Sequence, residues 1–453
     1  MDILNYIGIN QFINYIVIGN ECNKPKPYPY PYLKATEYFN ISNNKVIIFE
    51  DSKPGLLSAL SIIPRKIIGV NNGTNLNILN ELNISNIIID YNNLNIENII
   101  NNTTDIIENN ILYMIYNSLK NKYDIKDINI DLTKLKGGYI SDVIKVNIEL
   151  KSGNKLDCIL KYENDYKTSL TKMAYTLGLF DREYYFYENI SSYINIHTPK
   201  YIGTIKDNNF ISKGILLENI DKENMYLGLD LNKENIDVSL KVIEQCAKLH
   251  SQFWNKDITK SFINLKKHND ILFNPSWSNF IKEKWPIFIE KWNHILTNSV
   301  KEKMQYIVNN FEFIQEYLSM ENLTLCHGDI KSGNIFYQKN NDSYIPYFID
   351  WQYIANGKGV QDIVFFIIES FTGDNIIKYI DLFKKYYYIK LKEFGVIDYN
   401  IEKYNKDFEY AIFYFPFFVT IWFGTTPTDE LIDINFPESF ITKYITIIDI
   451  IYK

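Results

Sequence analysis

A chain of 453 residues is long enough for two domains, and a hydrophobic content of 46% supports a buried core. The net charge of −7, without any long basic run, argues against general nucleic-acid binding, which needs a basic surface. Four scattered cysteines, Cys22, Cys158, Cys246 and Cys326, make no zinc spacing and no compact disulfide framework, so reduced thiols in a cytoplasmic protein are the expectation. The N-terminus carries neither a basic segment nor a clean apolar signal core.

Taken in chain order, the first hundred residues predict four strands, at Tyr15–Gly19, Lys45–Glu50, Lys66–Val70 and Asn86–Asp90, with further patterning at Ile78–Leu82. Two Lys-Pro pairs, at Lys24 and Lys26, stand ahead of Tyr28-Pro29, and the second strand ends in Glu50-Asp51-Ser52. This stretch resembles the second half of a haloacid dehalogenase-like hydrolase. The resemblance implies that Lys26, with Lys24 as its rival, steadies a phosphate and that Asp51, with Glu50 possible, binds Mg²⁺. The nucleophilic Asp and the central strand of that family belong upstream of Met1, and without the nucleophile no phospho-aspartate forms. A doubly wound sheet builds outward from its first strand, so residues 1–100 are expected to be a partial α/β, Rossmann-like domain, either a remnant or part of a longer protein.

The Asn-rich stretch 101–110 is the linker candidate. Beyond it, Leu135 to Val146 reads as a turn between two strands, in which Gly137 and Gly138 let the backbone approach phosphate oxygens. Cys158-Ile159-Leu160-Lys161 is a short apolar run ending in a cation, Phe180 to Tyr187 is a helix carrying Asp181 and Glu183, and Gly214 to Ile220 is a buried strand with a polar exit. Cys246 to Trp254 reads as a helix with His250 on its apolar face, where a satisfied core histidine is the default.

The densest chemistry follows. Asp329 and Asn334 lie five residues apart in His327-Gly328-Asp329-Ile330-Lys331-Ser332-Gly333-Asn334, and a strand-like run then ends at Asp350-Trp351-Gln352. This is the layout of a phosphotransferase loop with its metal-binding strand end: one carboxylate accepts a hydroxyl proton, while the amide and the second carboxylate offer hard oxygens to Mg²⁺. A lone Asp or Asn in a loop is usually a turn former, but three at this spacing between apolar runs rarely arise from turn chemistry. Lys331 can meet a phosphate, though an exposed position is the reading here. His327 is read as structural, and Asp362 as a loop-stabilising or helix-capping carboxylate.

These motifs resemble the aminoglycoside phosphotransferase and choline kinase superfamily. The Leu249-His250-Ser251-Gln252-Phe253-Trp254 helix and the Gln after Asp350-Trp351 point to its ecdysteroid kinase-like group. The resemblance, which covers about residues 110–453, implies an α+β bilobal protein-kinase-like fold, with a small lobe over 111–220 and a large lobe over 221–453. It implies ATP and Mg²⁺ as cofactors, Asp329 as the base, and Asn334 and Asp350 as metal ligands. Lys161 would reach the phosphates and Glu183 would orient it, with Asp181 as the competing carboxylate. The backbone at Leu217, Glu218 and Asn219 would meet the adenine edge. His327-Gly328-Asp329 in place of His-Arg-Asp, together with the absence of Ala-Pro-Glu after Asp350, favours a small-molecule kinase over a protein kinase.

The most apolar run, Ala411 to Gly424, is broken by Pro416 and too short to span a bilayer comfortably, so no membrane insertion is expected. Its Phe413, Phe415, Phe417, Phe418, Trp422 and Phe423 suit either core or an aromatic acceptor pocket. The expected partner is a small organic alcohol, with steroid alcohols, choline-like amines, sugars and acyl hydroxyls all open. Two alternatives stand beside the kinase: a nucleotide-binding scaffold without turnover, opposed by the intact Asp329, Asn334 and Asp350, and a fragment of a bifunctional kinase–phosphatase, opposed by the missing nucleophile.

Overall fold

The structure, a computed structural model, describes residues 10–451 apart from 83, 85–86, 89–103, 132, 134, 136–139, 164–168, 208–210, 271–275, 342 and 432. The chain divides into two compact units. The first comprises Met1–Leu135, Val143–Leu160 and Gly203–Leu216; the second comprises Lys136–Asp142, Lys161–Ile202 and Leu217–Lys453.

In the first unit, α1 (Tyr30–Tyr38), β1 (Ile47–Glu50), α2 (Lys53–Leu60), β2 (Lys66–Val70), α3 (Leu76–Glu81) and β3 (Ile87–Ile88) form a small α/β layer with a parallel sheet in the order β1-β2-β3. Helix α2 starts where the sequence allows it: Ser52 Oγ accepts from Gly55 N at 3.2 Å, and Pro54 sits in the first turn, where its missing N–H costs nothing. Leu56, Leu60, Leu79 and Ile84 form the core beneath. The strand expected at Tyr15–Gly19 does not form. That segment is irregular and turns into a 3₁₀ turn at Gly19–Glu21. A strand needs a partner ladder, and among the described residues β1 pairs only with β2. The strand expected from Lys45 starts at Ile47, because Asn43–Lys45 forms a 3₁₀ turn. Of the strand expected at Asn86–Asp90, Ile87–Ile88 is described and the flanking positions lie outside the described residues.

The Asn-rich stretch at 101–110 leads into a helix, α4 (Thr104–Leu119), with 101–103 outside the described residues. Tyr113 on α4 packs against the Leu56–Leu79 core. Farther along, Ser118 Oγ accepts from Lys206 N at 3.1 Å, and Leu119 lies so close to Gly203 that a Cβ there would be 2.5 Å from it. Those contacts reach a five-stranded sheet in the order β4-β5-β6-β8-β7, made by β4 (Ile125–Asp131), β5 (Ser141–Leu150), β6 (Lys155–Glu163), β7 (Tyr201–Lys206) and β8 (Ser212–Glu218). The chain passes from the first unit into the second within β6, at Lys161, and within β8, at Leu217.

The second unit adds α5 (Ser169–Thr176), α6 (Leu179–Tyr185), β9 (Met225–Leu227), α7 (Ile236–Phe253), α8 (Ile258–Ser261), α9 (Ser276–Trp292), α10 (Asn298–Leu318), β10 (Thr324–Cys326), β11 (Ile335–Asn340), β12 (Ser343–Phe348), β13 (Ala355–Gly357), α11 (Val360–Ser370), α12 (Gly373–Glu393), α13 (Ile401–Phe413), α14 (Phe415–Thr425) and α15 (Phe436–Ile451). Three of its long helices are amphipathic and capped by side chains. Asn235, Thr297 and Asn400 accept from backbone N–H groups in the first turns of α7, α10 and α13. Along α7, Val242, Cys246, Leu249, His250 and Phe253 fall on the buried stripe. The apolar run at Ala411–Gly424 is two helices rather than one. The break comes at Tyr414, and Pro416 occupies the first turn of α14, where a proline is tolerated. Phe413, Phe417 and Phe418 are core, while Phe415, Trp422 and Phe423 are half-buried. Among the described residues no helix is long and apolar enough to cross a membrane.

Candidate active site

Two short pairings frame the loop that carries Asp329. Strand β10 delivers the chain to His327 and pairs antiparallel with β13, Leu325 opposite Asn356. On the far side β11 and β12 form a hairpin in which Ile335 faces Phe348, so that Asn334 and Asp350 emerge at the same end; Ile349 N donates to Asn334 O at 3.0 Å. Asp350 has φ 66°, the left-handed region that Asp and Asn tolerate better than most residues, and this turns its carboxylate out of the strand direction.

Asp329 is buried. Its Oδ2 accepts from Asn334 Nδ2 at 2.9 Å and from Lys331 Nζ at 3.1 Å, and Asn334 Nδ2 also donates to Asp329 O at 2.9 Å. Committing the amide nitrogen to Asp329 fixes the amide's orientation and leaves its oxygen as the group available to a cation. Burial pushes the Asp329 carboxyl above its ordinary range, against the pull of Lys331. Lys331 was expected to be exposed. Its side chain instead folds back onto Asp329, and the carboxylates of Asp329, Glu369 and Asp350 overcome desolvation to hold it firmly protonated.

Lys161 Nζ lies 2.7 Å from Glu183 Oε2 and 2.6 Å from Asp350 Oδ1. Burial opposes its charge, but the two carboxylates outweigh burial and raise its pKa. The same lysine holds Asp350 below the usual carboxylate range despite burial. Between the two carboxylates that the sequence left open, α6 decides by its phase: Asp181 faces solvent and Glu183 faces inward. The helix is continued by a π turn at Phe186–Ile190, and Phe186 stacks on Trp351 with ring centroids 3.9 Å apart. Trp351 donates from Nε1 to Thr198 Oγ1 at 3.1 Å, and Gln352 Nε2 donates to Ser141 Oγ at 3.3 Å. Asp350 is therefore followed by two anchored residues.

Behind the loop, Asp362 at the start of α11 accepts from His327 N and Gly328 N, both at 2.8 Å, and its Oδ2 lies 3.0 Å from His250 Nε2. Tyr387 OH sits 2.8 Å from His250 Nδ1. Burial raises the Asp362 carboxyl, but His250, His327 and the Gly328 amide win and lower it. His327 Nε2 donates to Ile349 O at 2.9 Å and its Nδ1 accepts from Asp329 N at 3.3 Å; this is the neutral tautomer, in keeping with the downward push of burial on its pKa.

Gly137 and Gly138 lie outside the described residues. Leu217 is buried at the end of β8, Glu218 N donates to Lys200 O at 2.8 Å, and buried Asn219 accepts from Asp221 N at 3.0 Å through its side chain. A cavity borders Gly328 and is lined by Arg182, His268, Trp277, Tyr353, Tyr414 and Phe415. Burial, and next to it the Arg182 charge, holds His268 down at about 4. Arg182, Tyr353 and His268 were not singled out from sequence. The one local signal was Arg182 beside Glu183, since the others reach the cavity from distant elements.

In the N-terminal segment Lys26 pairs with Glu50 Oε2, which also accepts from Tyr32 OH at 2.8 Å, while Ser52 Oγ donates to Oε1 at 2.9 Å. Burial raises the Glu50 carboxyl, but Lys26, Tyr32 and Ser52 together bring it down to about 2. Asp51, the acid favoured by resemblance, faces solvent, and Lys24 lies over the Tyr28 ring instead.

The family model of the ecdysteroid kinase-like family matches residues 136–396, more than half of the chain, and spans this loop, both strand ends and Asp362. The chain belongs to the ecdysteroid kinase-like family. The α+β kinase-like fold expected from the motifs is the fold of this ecdysteroid kinase-like region, with a partial α/β segment ahead of it. That segment matches a haloacid dehalogenase-like hydrolase model over residues 1–63. Among solved structures, the ecdysteroid kinase-like chain is similar to an aminoglycoside phosphotransferase in complex with GDP and kanamycin, at 12% identity and a TM-score of 0.45, over 75% of this chain and 97% of that one. It is also similar to a microcompartment-associated aminopropanol kinase, at 12% identity and a TM-score of 0.42, over 73% of this chain and 94% of that one.

Proposed function

We propose that this chain is an ATP-dependent phosphotransferase that adds phosphate to a hydroxyl of a small organic molecule. One observation carries the reading: Asp329, Asn334 and Asp350 leave the two ends of one hairpin and loop together, with Lys161 already paired to both Glu183 and Asp350. Phosphoryl transfer asks the protein chiefly for positioning and charge neutralisation.

The donor set suits a hard dication. Asn334 has its nitrogen engaged and its oxygen available, and Asp350 has one carboxylate oxygen engaged by Lys161. In this reading Asn334 and Asp350 would hold Mg²⁺, which would supply charge neutralisation to the nucleotide phosphates. Asp329 uses Oδ1, the oxygen not engaged by Lys331 and Asn334, to take the acceptor's hydroxyl proton, while the acceptor's own oxygen bonds to the γ-phosphorus and the bond from that phosphorus to the β–γ bridging oxygen breaks, releasing ADP. Lys161, aimed by Glu183, steadies the phosphates. The backbone at Leu217, Glu218 and Asn219 would meet the nucleotide's adenine edge. The four cysteines are free thiols, which fits a cytoplasmic setting.

The test is an ATP-consumption screen against an alcohol library with product mass measured, repeated on Asp329→Asn. The variant should lose turnover by roughly 10²–10⁴-fold while still binding ATP. Normal turnover in the variant overturns the assignment, and nucleotide binding without transfer to any alcohol makes the chain a scaffold instead.

A further inference from the structure

Asp350 sits in the left-handed region, a conformation that a non-glycine residue keeps only when its surroundings hold it there. One hydroxyl grips the chain on both sides of it. Thr198 precedes Pro199, which favours an extended backbone at that position. The segment lies alongside β12: Phe348 N donates to His197 O at 2.9 Å, and His197 bridges Tyr347 in parallel. Thr198 Oγ1 donates to Phe348 O at 2.9 Å and accepts from Trp351 Nε1 at 3.1 Å. Tyr187 OH lies 3.4 Å from the same oxygen. A carbonyl only accepts and an indole N–H only donates, so the single Thr198 proton is spent on Phe348 O and Tyr187 is the donor. Trp351 Nε1 also points at Phe348 O, at 3.2 Å, so the three groups close a ring around the turn. The helix that carries Glu183 backs this ring, since Phe186 stacks on Trp351 and Tyr187 reaches Thr198.

We infer that Thr198 is a positioning residue for Asp350: its hydroxyl pins the turn from Phe348 to Trp351 and so fixes where the Asp350 carboxylate is presented to a dication. This rests on the phosphotransfer reading of the site. Lys161 engages Asp350 through Oδ1, and a contact on one oxygen leaves the carboxylate able to swing about it. A backbone held before and after Asp350 removes that freedom. Valine at this position would keep the branched shape but leave Trp351 Nε1 with Phe348 O alone, and Tyr187 OH would lose the partner it has here.

The test uses the full chain with Thr198→Val. Calorimetry with a non-hydrolysable ATP analogue, with and without Mg²⁺, measures how much the dication adds to nucleotide affinity. That gain should fall about tenfold in Thr198→Val, the low end of what outer partners of metal ligands contribute, while affinity without Mg²⁺ stays at the parent's value. Thr198→Ser, which restores the hydroxyl, should recover most of the gain. Trp351→Phe keeps a ring on Phe186 and removes the donor, so it should lower the gain without touching Thr198, and the double variant should lose less than the two single losses together. The indole N–H resonance of Trp351, assigned by its disappearance in Trp351→Phe, should move in Thr198→Val and return in Thr198→Ser. An undiminished Mg²⁺ gain in Thr198→Val, an equal loss of affinity with and without Mg²⁺, or a serine variant no better than valine overturns the inference. If the parent gains nothing from Mg²⁺ or transfers phosphate to no acceptor, the phosphotransfer reading fails by itself, and the Trp351 resonance still decides whether Thr198 pins the turn.

Discussion

Gly328 faces the carbonyl oxygen of Tyr353 so closely that a Cβ on it would lie 2.1 Å from that oxygen. The residue before Asp329 is thus pressed against backbone just past Asp350, and its φ of 88° is one that side-chain-bearing residues rarely adopt. Neither the carbonyl nor the loop can yield alone, since Gly328 N is held by Asp362. Gly328→Ala should therefore displace the loop, destabilise the fold by about 2–4 kcal/mol and lower transfer by at least about 100-fold. Thermal unfolding and the transfer rate measured together check this. A stable and active variant would show that the loop tolerates a shift.

Lys161 is shared by buried Glu183 and partly exposed Asp350, so the two ways of breaking the triad differ. Lys161→Met leaves Glu183 buried without its cation and frees Asp350. Removal of one partner from such a pair costs about 3–5 kcal/mol. Glu183→Gln leaves Lys161 on Asp350 and removes the more deeply buried of the two charges, so it should cost less. The expected order in chemical denaturation is parent, then Glu183→Gln, then Lys161→Met. Calorimetry should find ATP binding weakened more in the lysine variant. A reversed order would mean that Glu183, rather than Asp350, is the main partner of Lys161.

Asp362 ties acid stability to the loop. Its folded pKa lies below the ordinary value of about 3.9, because His250, His327 and the Gly328 amide outweigh burial. A lowered folded pKa contributes stability that is fully present above the unfolded pKa and is lost as pH falls through the folded one. Asp362→Asn should thus be destabilised by about 3 kcal/mol or more at neutral pH, with the gap to the parent narrowing below about pH 4. Urea unfolding at a series of pH values measures the gap. A gap that does not change with pH would remove charge from the account and leave only lost hydrogen bonds.

The loop and the strand ending at Asp350 were legible because their signal is local: Asp329, Asn334 and Asp350 are set by spacing within one loop and one hairpin. Glu183 against Asp181 was not decidable from spacing alone; it depends on which face of α6 turns inward. Lys331 was misread because a long flexible side chain in a loop carries no pattern, and what pulls it inward, Asp329 and Glu369, acts through space. Tyr15–Gly19 has strand composition but no described neighbour to pair with, and β propensity follows context more than composition. The Asn-rich stretch looked like a linker because Asn favours turns, yet Tyr113, Ser118 and Leu119 farther along α4 supply the packing that holds the helix.

Tyr113 carries a prediction about that helix. It is half-buried against Leu56, Leu60, Leu79 and Ile84, and burial raises the pKa of its hydroxyl. Within the first unit it is a contact through which α4 meets the N-terminal core. Tyr113→Ala removes an aromatic side chain from one side of a small core, a loss of about 1–3 kcal/mol for a partly buried ring. Small regions open below the global unfolding free energy, so the loss should appear first as faster proteolytic cleavage within residues 10–88. Nucleotide binding by the second unit should be unchanged. Mass spectrometry of timed digests, with ATP binding measured on the same samples, separates the two outcomes. Cleavage at the parent's rate would mean that the Leu56–Leu79 core stands without α4.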